Sequence, residues 1–377
     1  MKPLISTILL ALAAAWPATS GAQTTSTASA TLMWNRIALE AVERAKPNQH
    51  QTARTLANVS LAQYAALAEA GGEDVARDAI ATTSARVIAE LLPSQASFVE
   101  ERYREMQVHG DKGGASAQRV LAAASQDGFA QKWTGQAPQA AYAWRSLVTP
   151  PAPPAYPAIG GMRTFFLESA ADFRAAPPPA VGSKRFADDL AEVRRFTDAP
   201  TAETTRIAKF YDMTTGTLAA GFWTEQAASL IGRDGLGERQ AAGILATLNT
   251  AIVDALAACH DSKYVYWVPR PSQADPAIKP LIGVPNHPAY PSNHSCLSTT
   301  AALVLAHFFP RDADRLKGMA AEAGLSRIYA GLHYRFDVEA GEEIGRKVAA
   351  VAVARHAEVL ARWERTAVTA LPDSLSR

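Results

Sequence analysis

Apolar residues along most of this chain return every three or four positions rather than every two. Segments near 32–46, 50–70, 74–92, 95–107 and 115–127 place Leu, Ile, Val and aromatic residues at that spacing, with Ala filling between. Such a period predicts amphipathic helices, and Ala strengthens them because it loses no side-chain entropy on becoming helical. From about 134 to 182 the signal lapses, and the run Thr149-Pro-Pro-Ala-Pro-Pro-Ala-Tyr-Pro reads as a stiff, extended connection. Helical spacing resumes near 183–196, 201–214 and 237–260. The stretch from Pro269 to Pro291 holds seven prolines, which forbid a continuous helix. Three further helical patterns follow near 293–308, 311–323 and 326–363. With no convincing alternating runs and no solenoid-length repeat, the predicted class is all-α, built of helix bundles packed against each other. The expected organisation is an N-terminal helical region 32–148, a Pro-rich connection 149–182 and a C-terminal helical region 183–377.

The first residues read differently. Lys2, the apolar run Leu4 to Trp16 and the small residues Ser20-Gly21-Ala22 have the form of a signal peptide, 1–22, cleaved before Gln23. A Ser/Thr/Ala-rich leader, 23–31, is expected to be disordered. The mature protein is then exported, periplasmic or secreted. The alternative is an uncleaved anchor, but the run is short for a bilayer, and no later stretch reaches ~20 uninterrupted apolar residues. Lys plus Arg number 37 against 36 Asp plus Glu, so the net charge of +1 creates no global attraction to nucleic acid or an anionic membrane. Any preference for anions must be local. Export permits disulfides, and Cys259 and Cys296 are the chain's two thiols: either they approach each other, or they are buried free thiols acting as small hydrophobes.

Three clusters in the C-terminal third concentrate unusual polar residues. Lys263 and Arg270-Pro271 sit where a helix runs out into the Pro-rich stretch, and two cations there can clamp an anion. Pro291-Ser292-Asn293-His294 leads into a helical pattern, so Ser292 and Asn293 can offer side chains and free backbone N–H groups at a helix N-terminus. Ser326-Arg327 precedes His333 and Asp337, which are four apart and on one helix would share a face; the carboxylate would then fix the imidazole tautomer. Singly, each has a plainer explanation as a solvated helix-terminal cation, a turn and cap, or a hydrogen-bonded pair. Gly331, Gly341 and Gly345 on or beside the last helix suggest close approach of a neighbouring helix. His260, His307 and His356 have no motif context and read as structural or surface residues.

Together the clusters read Lys, six residues, Arg-Pro, 19 residues, Pro-Ser-Asn-His, 31 residues, Ser-Arg, five residues, His, three residues, Asp. This resembles the three-part signature of the vanadium-dependent haloperoxidase and type 2 phosphatidic acid phosphatase superfamily. The departure is Asn293, where the family pattern usually has Gly. The flanks Asn286-His-Pro-Ala-Tyr-Pro-Ser-Asn-His and Ala323-Gly-Leu-Ser-Arg-Ile-Tyr-Ala-Gly-Leu-His resemble the bacterial haloperoxidase-like branch.

The resemblance implies a tetrahedral oxyanion, vanadate or phosphate, held by Lys263, Arg270, Ser292, Asn293, Arg327 and His333. In the haloperoxidase form His333 is the vanadium ligand, His294 the acid/base toward hydrogen peroxide, and a halide is oxidised to hypohalous acid with vanadate as a Lewis acid polarised by Lys263. His287 falls where bromoperoxidase-like members often carry histidine, which favours bromide; otherwise it is a loop histidine facing solvent. In the phosphatase form a small phosphate ester is the substrate. His333 attacks phosphorus to give a phosphohistidine, Asp337 orients it and His294 protonates the leaving alcohol. A non-catalytic oxyanion-binding protein is the third reading, disfavoured because simple binding needs no acid/base.

Overall fold

The computed structural model describes residues 29–70 and 73–364 of the chain. Thirteen helices are found among them and no strand. They are α1 (Ala30–Ala45), α2 (Gln49–Ala70), α3 (Glu73–Leu91), α4 (Ala96–Glu105), α5 (Gly114–Ser125), α6 (Lys184–Asp198), α7 (Ala202–Phe210), α8 (Leu218–Arg233), α9 (Glu238–Tyr266), the single turn α10 (Pro271–Ala274), α11 (Asn293–Phe308), α12 (Ala313–Tyr329) and α13 (Arg335–Glu364). The all-α class is as the spacing predicts. The expected signal peptide lies outside the described residues, as do 23–28 of the leader. The rest of the leader is ordered: Ser29 caps α1, its hydroxyl accepting from Leu32 N–H, and the Glu238 carboxylate takes the N–H groups of Ala30 and Thr31 at 2.6 and 3.0 Å. A capped helix start, not a Ser/Thr tail, is what those residues form.

α9 is the hub. It has the length and apolar composition of a membrane-crossing helix, yet 94% of its most apolar window is buried inside the protein. A helix apolar all round belongs in a core, and α2, α8, α11 and α13 pack around it. One buried cluster runs from Ala30 to Trp363 and draws residues from both sides of the Pro-rich stretch. α11 lies against α13 at Gly341 and Gly345. A Cβ at Gly341 would stand 2.6 Å from the Ser292 carbonyl oxygen, and one at Gly345 would stand 2.7 Å from Thr299 Cβ. Both glycines therefore set the helix approach that brings the start of α11 beside the start of α13.

Two helical boundaries depart from the periodicity. α8 was not foreseen, because its buried face includes Ala219, Ala220, Gly221 and Ala227, and small residues give a weak amphipathic signal. The pattern over 326–363 is two helices rather than one. α12 ends at Tyr329 and Gly331 adopts φ +79°, a left-handed conformation suited to a helix stop. His333 therefore precedes α13 and does not share a helix with Asp337.

The irregular segment between α5 and α6 folds onto the C-terminal end of α9. Trp144 N–H donates to Trp267 O at 2.7 Å, Ala155 N–H to Asn286 O at 2.8 Å, and the Tyr266 and Tyr290 hydroxyls to the carbonyls of Ala175 and Ala176. The buried Asp254 carboxylate accepts three successive backbone N–H groups, from Phe165, Phe166 and Leu167. A segment without regular structure must satisfy its backbone donors somewhere, and here a carboxylate on α9 does it.

Candidate active site

Lys263 is fully buried in the last turn of α9, where the helix dipole favours a cation. Its ammonium donates to the carbonyls of Pro288 (3.0 Å), Ala289 (2.7 Å) and Pro291, so all three N–H groups are engaged by backbone. Burial pushes its pKa down to about 8. Arg270 follows the left-handed C-cap Trp267 and is also fully buried. Its Nε donates to His287 O at 3.1 Å, its Nη1 to Leu332 O at 3.0 Å, and Nη1 lies 3.0 Å from His333 Nε2. The turn after α12 thus delivers His333 against Arg270, and the Arg327 carbonyl closes that turn by accepting from Leu332 and His333 N–H.

Asp337 stands in the first turn of α13 and its Oδ2 reaches back to Tyr334 N–H at 3.1 Å, in the manner of a capping-box acid. The same oxygen accepts from His333 Nδ1 at 2.9 Å. The four-residue spacing therefore works across a helix start instead of along a helix face. With Nδ1 carrying the proton, His333 Nε2 is unprotonated and its lone pair accepts from Arg270 Nη1. Burial, then Arg270, Lys263 and Arg327, hold the ring neutral with a pKa well below its usual value. Burial pushes the Asp337 carboxyl up to about 7.

Ser292 is the N-cap of α11, its hydroxyl accepting from Ser295 N–H, and Asn293 and His294 open the helix. The His294 ring lies beside the backbone of Tyr211 and Asp212. Its Nε2 is shielded from solvent and has no partner. Burial, followed by the Arg327 charge, depresses this imidazole too. Arg327 is buried, donates from Nη1 to Tyr211 O at 2.9 Å, and keeps its Nε without a partner. Burial lowers it to about 10 while the Asp212 carboxylate partly offsets that. The charges of Arg270, Lys263 and Arg327 reach His333, and those of Arg327 and Arg270 reach His294, so these five side chains lie near one another.

Three further histidines lie close to these residues, and only His287 was marked by the motif flanks. His287 is buried rather than solvent-facing, its Nδ1 3.1 Å from Arg270 Nη2. His260, one turn before Lys263, is fully buried with its ring 5.6 Å from that of His287, so it belongs to the site rather than to the general core or surface. His50 comes from α2 and lies Nε2 to Nε2 at 2.8 Å from His260. The three- and four-residue offsets of His260 and Cys259 from Lys263 on α9 are a usable signal; nothing in sequence points to His50, Tyr211 or Asp212. Cys259 and Cys296 are buried free thiols in mutual contact.

The sequence pattern of the PAP2 superfamily matches residues 243–359, the span that holds Lys263 through Asp337. A non-specific acid phosphatase of Providencia stuartii is 31% identical over 186 residues, covering 47% of this chain and 70% of that protein. The chain belongs to the PAP2 superfamily. A shorter match, 42% identical over 57 residues, is to a non-specific acid phosphatase of Salmonella typhi and spans 15% of this chain and 23% of that enzyme. In fold, the chain is similar to a bacterial vanadium-dependent iodoperoxidase, with a TM-score of 0.72 at 20% identity, over 86% of this chain and 95% of the other. An apo-type bacterial vanadium-dependent chloroperoxidase gives 0.70 at 13%, over 83% and 95%.

The PAP2 superfamily's oxyanion chemistry can be tested against the unsatisfied atoms. Two stand out, the Arg327 Nε–H donor and His294 Nε2. Leaving such groups buried and unpaired costs roughly 1–3 kcal/mol each, and a protonated tetrahedral oxyanion supplies a partner for each. His333 Nε2 offers a neutral lone pair to a central atom. The residues present fit the group.

Proposed function

We propose that this protein is an exported, vanadium-dependent haloperoxidase-like enzyme that uses hydrogen peroxide to oxidise halide, bromide in preference, at a vanadate held by His333. The observation that carries this reading is the unprotonated Nε2 of His333, oriented by Asp337 and accepting from Arg270 Nη1, near Arg327 Nε and His294 Nε2, which have no partners. Bound vanadate supplies a Lewis acid that polarises peroxide without changing its own oxidation state. Arg270 and Arg327 neutralise the oxyanion, and the N-terminal N–H groups at Ser292 and Asn293 add donors. Lys263 contributes a buried positive charge, with its N–H groups turned to carbonyls. His294 Nε2 takes the proton from incoming peroxide. His287, fixed beside Arg270, biases the halide toward bromide. Support for this branch comes from the fold likeness, which extends through the N-terminal helices to 86% of the chain.

A second reading is a secreted acid phosphatase, favoured by the named activity of the curated sequence relatives. His333 Nε2 then attacks phosphorus, His294 protonates the leaving alcohol and afterwards activates water, and the same cations stabilise the transition state. Two assays on the purified protein decide: bromination with peroxide after vanadate loading, and phosphate-ester hydrolysis without vanadium. Bromination upholds the proposal and hydrolysis alone replaces it with the phosphatase. Tight anion binding with neither activity leaves a binding protein.

A further inference from the structure

We propose that His260, braced by His50, is a positioning residue that sets the oxyanion cradle through the Asn293 amide. The proposal rests on reading the Lys263, Arg270 and Arg327 pocket as an oxyanion site, and on nothing about which oxyanion is turned over. Asn293 stands where the family pattern has Gly, at the first residue of α11, so its side chain has to be accommodated beside the anion-facing N–H groups. Both ends of its amide are tied to α9. Cys259 Sγ lies 2.9 Å from Asn293 Oδ1, and His260 Nε2 lies 3.1 Å from Asn293 Nδ2.

Hydrogen-bond directions follow from the chemistry of the groups. The thiol donates to Oδ1, so Nδ2 is the amide's donor end and His260 Nε2 must be bare. His50 Nε2, 2.8 Å from the same atom, must then carry a proton and donate as well. The single lone pair of His260 Nε2 is shared between the Asn293 and His50 donors, with the ring proton on an unpartnered Nδ1, and it holds the amide in one orientation. Burial and the Lys263 charge keep both imidazoles neutral, which this arrangement requires. With both its polar atoms bonded to α9, the amide is held back from the anion and the first turn of α11 is pinned to the helix carrying Lys263. His50 begins α2, far outside the span that matches the superfamily, so the N-terminal half of the chain braces the cradle.

The test measures binding of inorganic phosphate and of orthovanadate by calorimetry, alongside thermal unfolding. Removing an outer partner of a ligating group typically weakens binding 10–100-fold, and His260→Ala is expected to raise both dissociation constants about tenfold. His260→Gln, which restores an acceptor for Nδ2, recovers most of that loss. In an Asn293→Gly background, where there is no amide to position, His260→Ala adds no more than about twofold, because effects on one linked pair do not add. A full tenfold loss in that background, or none in the unmodified chain, would overturn the proposal. Should His260→Ala not fold, His50→Ala carries the same test: unchanged anion affinity overturns the proposal, and a loss that the Asn293→Gly background abolishes supports it. Failure to brominate leaves this test intact. Failure of the unmodified protein to bind either anion would overturn the oxyanion reading and this proposal together.

Discussion

Arg327→Met separates binding from stability. The guanidinium is buried and donates from Nη1 to Tyr211 O at 2.9 Å, while its Nε–H has no partner. Its pKa is lowered to about 10, chiefly by burial. At 1.36 kcal/mol per unit, that corresponds to a deficit of about 3 kcal/mol for holding the charge there. An oxyanion accepting from Nε supplies one charge-assisted hydrogen bond, about 1.5–3 kcal/mol, or roughly 10–150-fold in affinity. The variant should therefore lose phosphate and vanadate affinity by that factor. Its melting temperature in the absence of anion should hold or rise, since an under-paired buried charge is replaced by an apolar chain of similar length. Calorimetric titration and a melting curve with and without anion give both quantities. A variant that binds as the unmodified protein does, or that melts several degrees lower with unchanged affinity, would refute the reasoning.

Lys263, lowered to about 8, loses its charge above that pH in the free protein; anion affinity should then fall by up to about tenfold per pH unit, and Lys263→Met should bind weakly at all pH values and lack that alkaline limb. Acid should unfold the protein. His50, His260, His287, His294 and His333 are all held below their ordinary value, whereas Asp254 and Asp337 are raised to about 7. Below about pH 6.5 the unfolded chain protonates the imidazoles that the folded state keeps neutral. The two carboxyls work the other way, because the folded state binds their protons first. The histidines outnumber them, so unfolding takes up protons on balance and stability falls as pH falls through the unfolded imidazole range, by about 1.4 kcal/mol per pH unit for each net proton. A stability profile flat from pH 6.5 to 5 would contradict this. Gly341→Ala should destabilise by about 1–3 kcal/mol through overpacking against Ser292 and Ser295, and should weaken anion binding as well. Gly318→Ala in α12 meets open space and should be neutral or stabilising by about 0.5–1 kcal/mol. Equal effects at the two sites in a denaturant titration would remove the packing argument.

Helix periodicity is a local property, and it was enough to expect an all-α protein and most of its helices. The residues Lys263, Arg270, Ser292, His294, Arg327, His333 and Asp337 could be named in advance because motif spacing is also written along the chain. Where an element's signal depends on its neighbours, reading failed. α8 buries Ala and Gly against α2, α9 and α11, and the break at Gly331 shows only as a backbone angle. Proline-rich backbone carries no period, so nothing told in advance that the segment before α6 would fold against α9 through Trp144, Ala155 and Asp254. The engagement of the Lys263 ammonium by the carbonyls of Pro288, Ala289 and Pro291 was equally hidden, since every residue has a carbonyl and only folding aims it. His50 meets His260 across 210 positions of sequence, and no spacing encodes that contact. The chain alone determined which groups are candidates for the chemistry; packing of α2, α9, α11 and α13 decided which of them are desolvated, paired or left without a partner, because desolvation and pairing are properties of what surrounds an atom.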